Sequence, residues 1–134
     1  MTALRTAKQF VTYTNATPFQ HAIALGLGID GVYDEMLTGY RHRRDLLSDG
    51  LAKAGFDVVQ PQGAFFVNAD IRPLGYEDDV EFCMMLPVDV GVVGIPCSSF
   101  YSERSGGKHL VRFAFCKSEE DIVEGLRRME VLRR

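Results

Sequence analysis

The segment His109-Leu110-Val111-Arg112-Phe113-Ala114-Phe115-Cys116-Lys117 constrains the fold of this 134-residue chain more than any other stretch. Read as a strand, its period-two alternation sends Val111, Phe113 and Phe115 to one face and Leu110, Arg112, Ala114 and Cys116 to the other. The first face is a core face and requires a layer packed against it. The second carries a permanently charged guanidinium with small neighbours two residues along, which leaves room for something to approach. A planar fork of five donors suits a carboxylate or phosphate held through two parallel bonds. Spacing alone leaves a second reading open, in which Arg112 reaches along its stem to solvent or pairs with a structural Asp or Glu.

What surrounds this strand follows from periodicity and punctuation. Leu4, Ala7, Phe10 and Val11 fall at helical spacing over residues 2–12. Thr17-Pro18 supplies a cap and an N1 proline for a second helix reaching about Gly28. That helix is apolar nearly all round, so it is expected to be covered on most sides, in part by other chains or further sequence. Asp30 can cap a long helix from Gly31 to about Ala54, with Gly55 placed to end it. Such a helix is about 36 Å long and reads as a spine joining two bodies.

Beyond it, residues 56–59 and 64–69 read as strands joined by a turn at Gln60-Pro61-Gln62-Gly63. Asp78 or Asp79 can cap a helix stopped by Pro87. Gly91-Val92-Val93-Gly94-Ile95 reads as a short buried strand ended by Pro96, and a polar, glycine-bearing loop from Cys97 to Lys108 leads into the Arg112 strand. Ser118 then opens a last helix, with Asp121 in the place of the usual capping-box Glu. The order predicts an α/β chain of the α+β kind, a small mixed sheet packed by helices and preceded by the long spine.

Composition excludes several classes of function. With 46% hydrophobic and 25% charged residues the chain has the profile of one soluble globular domain, and a net charge of -3 argues against nucleic acid or an anionic membrane held by bulk charge. Cys83, Cys97 and Cys116 are odd in number and widely spaced, so neither a disulfide framework nor a zinc site is expected, and a reducing cytoplasm is the natural setting. No signal peptide and no long apolar run is present in the sequence given. Gly107-Lys108 lacks the first glycine and the Ser or Thr of a phosphate-binding loop. The acidic run Glu77-Asp78-Asp79 with Glu81 lacks calcium-loop spacing and is explained by a helix start. His21, His42 and His109 stand in no visible relation to a nucleophile. Two loops can converge on Arg112: Gly63-Ala64-Phe65-Phe66, whose aromatics could wall an apolar pocket, and Pro96 to Tyr101, which leaves a strand end.

Taken in order, Tyr13 to Gln20, Arg43-Arg44-Asp45 in the spine, Pro61 to Phe66, Gly91 to Tyr101 and Val111 to Lys117 resemble the C-terminal third of class I/II, fold-type I, pyridoxal-phosphate aminotransferases. The wording is most similar to the subgroup of kynurenine, methionine and N-succinyldiaminopimelate aminotransferases. The resemblance implies that Arg112 grips the α-carboxylate of a small amino acid or 2-oxo acid. It also implies that Phe65 and Phe66 line the pocket, and that Ser98 and Tyr101 lie near the substrate entrance. Asn15, Thr17 and Phe19 would approach the active site of a partner in a homodimer. Residues 1–30 would be a helical remnant of the large cofactor domain and residues 31–134 the small domain with its linking helix. The Schiff-base lysine of the family matches none of Lys8, Lys53, Lys108 and Lys117. The chain is therefore expected to lack a catalytic residue of its own, to bind no cofactor covalently, to depend on a missing N-terminal portion and to be inactive alone. The competing expectation is a stand-alone, non-catalytic module that binds small carboxylates or dimerises. No metal, nucleic acid or membrane is expected as a partner.

Overall fold

The structure, a computed structural model, describes residues 1–12 and 16–133. They form two compact units, Met1–Met36 and Leu37–Arg134. The first holds α1 (Thr2–Thr12), α2 (Thr17–Gly26) and the first turns of α3 (Val32–Lys53). Among the described residues neither α1 nor α2 has a buried residue: Phe19, Ile23 and Leu25 are 72%, 63% and 74% exposed. Ala16, not Thr17, is the N-cap of α2, and no side chain caps it; Thr17 and Pro18 lie inside the first turn.

Leu47 and Leu51 bury the C-terminal half of α3, whereas Met36 and Leu37 on the same stripe are exposed. Gly55 ends the helix as the sequence predicts. With φ at +103° it lets its own amide reach the Ala52 carbonyl at 3.1 Å while the Phe56 amide reaches that of Leu51 at 3.1 Å. Leu51 and Phe56, the two residues this closure joins, are both in the core.

Four strands follow: β1 (Asp57–Val59), β2 (Phe66–Asp70), β3 (Ile95–Pro96) and β4 (Leu110–Ala114), arranged β1-β2-β4-β3. Every paired interface is antiparallel, which corrects the expectation of a mixed sheet within an otherwise α/β chain. The reason is the position of β4. The helix α4 (Asp79–Met85) lies between β2 and β3 in sequence, and those two strands do run in the same sense, but β4 separates them and runs against both. The strand expected over 91–95 shrinks to β3. Gly91 has φ of +73° and closes a π-turn over Leu86–Val90, Val93 is 74% exposed, and pairing begins only at Ile95. Pro96 has no amide to donate, so it belongs on a short edge strand.

The core lies on one side of the sheet, where Val67 and Ala69 of β2 and Val111 and Phe113 of β4 meet Leu47, Leu51, Phe82, Leu86 and Ile122 from the helices. Phe56 packs edge-on against both Phe82 and Phe113, at centroid separations of 6.0 and 5.7 Å. Both later helices start as their sequences require. The Asp78 carboxylate accepts from the Val80 and Glu81 amides at 3.0 and 3.1 Å, and the Ser118 hydroxyl accepts from the Asp121 amide at 3.1 Å to open α5 (Glu119–Met129). The three acids in the first turn of α5 and Arg127 and Arg128 in its last turn both suit the helix dipole.

Candidate functional site

Arg112 is the central residue of β4, opposite Asn68 of β2 on one side and Ile95 of β3 on the other. Its neighbours Val111 and Phe113 are anchored in the core, so the backbone under the guanidinium is fixed. Phe66 shares the face of Asn68 on β2, and its ring centre lies 3.9 Å from the Arg112 guanidinium carbon. Phe100, from the 3-10 turn Cys97–Phe100 that leaves β3, places its ring centre 4.3 Å from the same atom. The cation therefore lies against two aromatic rings, one from β2 and one from the turn that leaves β3. None of the ion pairs among the described residues includes Arg112, and its Nε is buried without a hydrogen-bond partner. The structural ion pair left open by the sequence is not formed.

Next to it, the buried Cys97 thiol donates to Asn68 Oδ1 at 3.7 Å. Burial pushes the Cys97 thiol up, the Arg112 charge pulls it down and Asp79 adds to the rise, so it stays a protonated donor rather than a thiolate nucleophile. What the site offers is one partly buried cation, two aromatic rings and a neutral polar floor. That combination has the chemistry to hold an anion.

Of the residues expected from the sequence, Phe66 meets Arg112 directly. Phe65 is half exposed and packs edge-on against Phe66 at 5.6 Å, next to Ala64, whose φ of +62° marks a tight turn. Ser98 is buried, and its amide is committed to the Asp79 Oδ2 at 2.7 Å. Tyr101 lies against Gly106 and Gly107; a Cβ on Gly107 would come within 2.7 Å of the Tyr101 ring and 2.8 Å of the Ser98 nitrogen. Ser98 and Tyr101 thus shape the loop. Thr17 and Phe19 are exposed on α2 in the other unit, and Asn15 lies outside the described residues. Phe100 and Cys97 lie on the Pro96 to Tyr101 loop expected to converge on Arg112, and Phe100 does reach it; Asn68 is not among the residues the sequence reading picks. Asn68 could have been, as a polar residue in the middle of the apolar run from Phe65 to Ala69.

The family model for class I and II aminotransferases matches residues 1–129. The chain belongs to that family. The probable N-succinyldiaminopimelate aminotransferase of Mycobacterium tuberculosis is 43% identical over 96% of this aminotransferase chain and 35% of the relative. The methionine aminotransferase of Escherichia coli is 31% identical over 96% of the chain and 33% of the relative. The solved structure of N-succinyldiaminopimelate aminotransferase from M. tuberculosis superposes with a TM-score of 0.84 at 45% identity, covering 96% of this chain and 34% of that one. The chain spans about a third of the length of the curated relatives it matches.

All four lysines are exposed, and Lys108 pairs with Asp78 at 3.1 Å. His42 pairs with Glu119 at 3.1 Å. The cysteines are free, and no group of three potential metal ligands occurs among the described residues. Nor is any helix among them long and apolar enough to cross a membrane.

Proposed function

We propose that the chain supplies the substrate-carboxylate side of a pyridoxal-phosphate-dependent aminotransferase, with Arg112 as the anchor. The observation that carries this reading is the flanking of the Arg112 guanidinium by Phe66 and Phe100 in the absence of any acidic partner among the described residues. A guanidinium presents its donors in its own plane, and a carboxylate matches that edge with two parallel hydrogen bonds. An amino acid and its 2-oxo acid share the α-carboxylate, so one arginine serves both directions of amino transfer. Charge-assisted bonds of this kind contribute about 1.5–3 kcal/mol.

The family's cofactor supplies the electron sink for amino transfer and needs a covalent lysine anchor. The exposed lysines of this chain do not fit that role. We assign the anchor to the part of the enzyme that the relatives possess and this sequence does not, with residues 1–30 as the edge of that cofactor domain and residues 31–134 as the small domain. In the same reading the enzyme is a cytoplasmic homodimer, and Asn15, Thr17 and Phe19 face the partner's active site. Phe65 completes the apolar wall through Phe66, while Ser98 and Tyr101 act by shaping the loop at the entrance.

In a full-length enzyme carrying this segment, Arg112→Lys is expected to lower kcat/KM by about tenfold to a hundredfold with the fold intact. Unaltered kinetics would make Arg112 merely structural. The 134-residue chain mixed with pyridoxal phosphate, an amino donor and pyruvate is expected to give neither transamination nor imine absorbance. A stable lysine-linked imine on the chain alone would sink the division of labour.

A further inference from the structure

We propose that Asp79 is a positioning residue for the Arg112 site, holding the Cys97–Phe100 turn so that Phe100 stays against the guanidinium; this rests on Arg112 being the carboxylate anchor. Asp79 is the first residue of α4 and is completely buried. Its Oδ2 accepts from the Ser98 amide at 2.7 Å, two residues before Phe100, and its own amide donates to the Lys108 carbonyl at 2.8 Å. One residue therefore ties both ends of the loop between β3 and β4. The loop closes on itself at the same place, because Gly107 has no side chain to separate it from Ser98 and Cys97. The neighbouring Asp78 adds an exposed tie through Lys108 Nζ.

Packing alone does not account for Asp79. Its Oδ1 is buried with no hydrogen-bond partner, and an apolar residue of similar size would fill the same volume without that unsatisfied oxygen. What an apolar residue cannot do is accept the Ser98 amide. That single bond fixes the turn carrying Phe100, and a preorganised ring keeps the Arg112 rotamer and excludes water from its face.

The test is pyruvate binding to the 134-residue chain, followed by NMR. Asp79→Leu removes the acceptor and is expected to weaken binding about threefold to tenfold, the range expected for loss of one ring from a cation. Asp79→Asn keeps an acceptor oxygen for Ser98 and is expected to bind within about twofold of wild type. In a Phe100→Ala background, Asp79→Leu should produce no further loss. Equal binding by the Leu variant, failure of Asn to restore it, or full additivity with Phe100→Ala would each overturn the assignment. Should Asp79→Leu fail to fold, the wild-type chain and the Asn variant decide: the Ser98 amide should exchange with solvent as slowly as that of Val111 in both. Fast exchange at Ser98 would refute the tie. Arg112→Gln serves as the control. If it leaves pyruvate binding unchanged, the anchor reading itself fails; if it abolishes binding while Asp79→Leu does not alter it, only the role of Asp79 fails.

Discussion

The Arg112 guanidinium carbon lies 3.9 Å from the centre of the Phe66 ring, across the β2–β4 pair that sets Asn68 opposite Arg112. Phe66 stands on that face because Val67 and Ala69, its alternating neighbours, are fully buried. Stacking a partly buried cation on a ring is worth about 0.5–2 kcal/mol, and it also restricts which edge of the guanidinium a ligand meets. Phe66→Leu should therefore weaken pyruvate binding by about threefold to thirtyfold while Phe65→Leu, which alters only the ring behind it, costs less. Titration of the two variants side by side checks the order; a larger loss for Phe65→Leu would contradict it.

The fold rests on the aromatic cluster beneath the sheet. Phe82 is fully buried and contacts Tyr76 and Phe56 edge-on, at centroid separations of 4.7 and 6.0 Å. Phe82→Ala should cost about 3–5 kcal/mol, read as a lower urea midpoint with an unchanged slope. A loss below about 1 kcal/mol would mean the cluster is loosely packed.

Acid should act through Asp70. Burial pushes its carboxyl up, but hydrogen bonds from the Arg72 side chain at 3.0 Å and backbone at 2.9 Å outweigh this and hold it below the usual 3.8. A depressed folded-state value means the stabilisation is present above the unfolded pKa and is lost as pH falls through the folded one. The stability gap between wild type and Asp70→Asn is thus expected to be widest near neutral pH and to close below about pH 4. Thermal melts across that range measure it, and a constant gap would assign the stabilisation to packing.

Alkali should act through Cys83. Burial, with Asp79 and Cys97 nearby, pushes its thiol up from 9.0 to about 12. The unfolded chain then ionises this thiol first, so stability falls as pH rises from 9.0 toward 12, a loss that Cys83→Ala should remove. At pH 8, iodoacetamide should modify the exposed Cys116 before Cys83 or the buried Cys97. Mass spectrometry after brief labelling gives the order, and early modification of Cys97 would show that the loop over it opens freely.

Local pattern was enough to place what depends on neighbours in sequence. The alternation at Val111, Phe113 and Phe115 predicts a buried face, and all three are buried; Asp78, Ser118 and Gly55 end or begin helices where expected. The resemblance carried by the Arg112 strand and its companion stretches agrees with the family match over residues 1–129. Sheet order was not legible, because inserting β4 between β2 and β3 is decided by contacts far apart in sequence. The same reason hid which residue of the Pro96 to Tyr101 loop meets Arg112, and hid the bond between Asp79 and Ser98. Gly91 to Ile95 reads as a strand because a short apolar run does not by itself separate a strand from an irregular segment.

The most direct test of the account is an NMR titration of the 134-residue chain with pyruvate, following backbone amide signals in wild type, Arg112→Lys and Arg112→Gln and, in wild type, the Nε–H signal of Arg112 as well. The account predicts millimolar binding, about 4 kcal/mol, with a shift of that signal in wild type, binding roughly tenfold weaker in the Lys variant and none in the Gln variant. Equal pyruvate affinity in wild type and Arg112→Gln, or no response of the Arg112 signal, would contradict it.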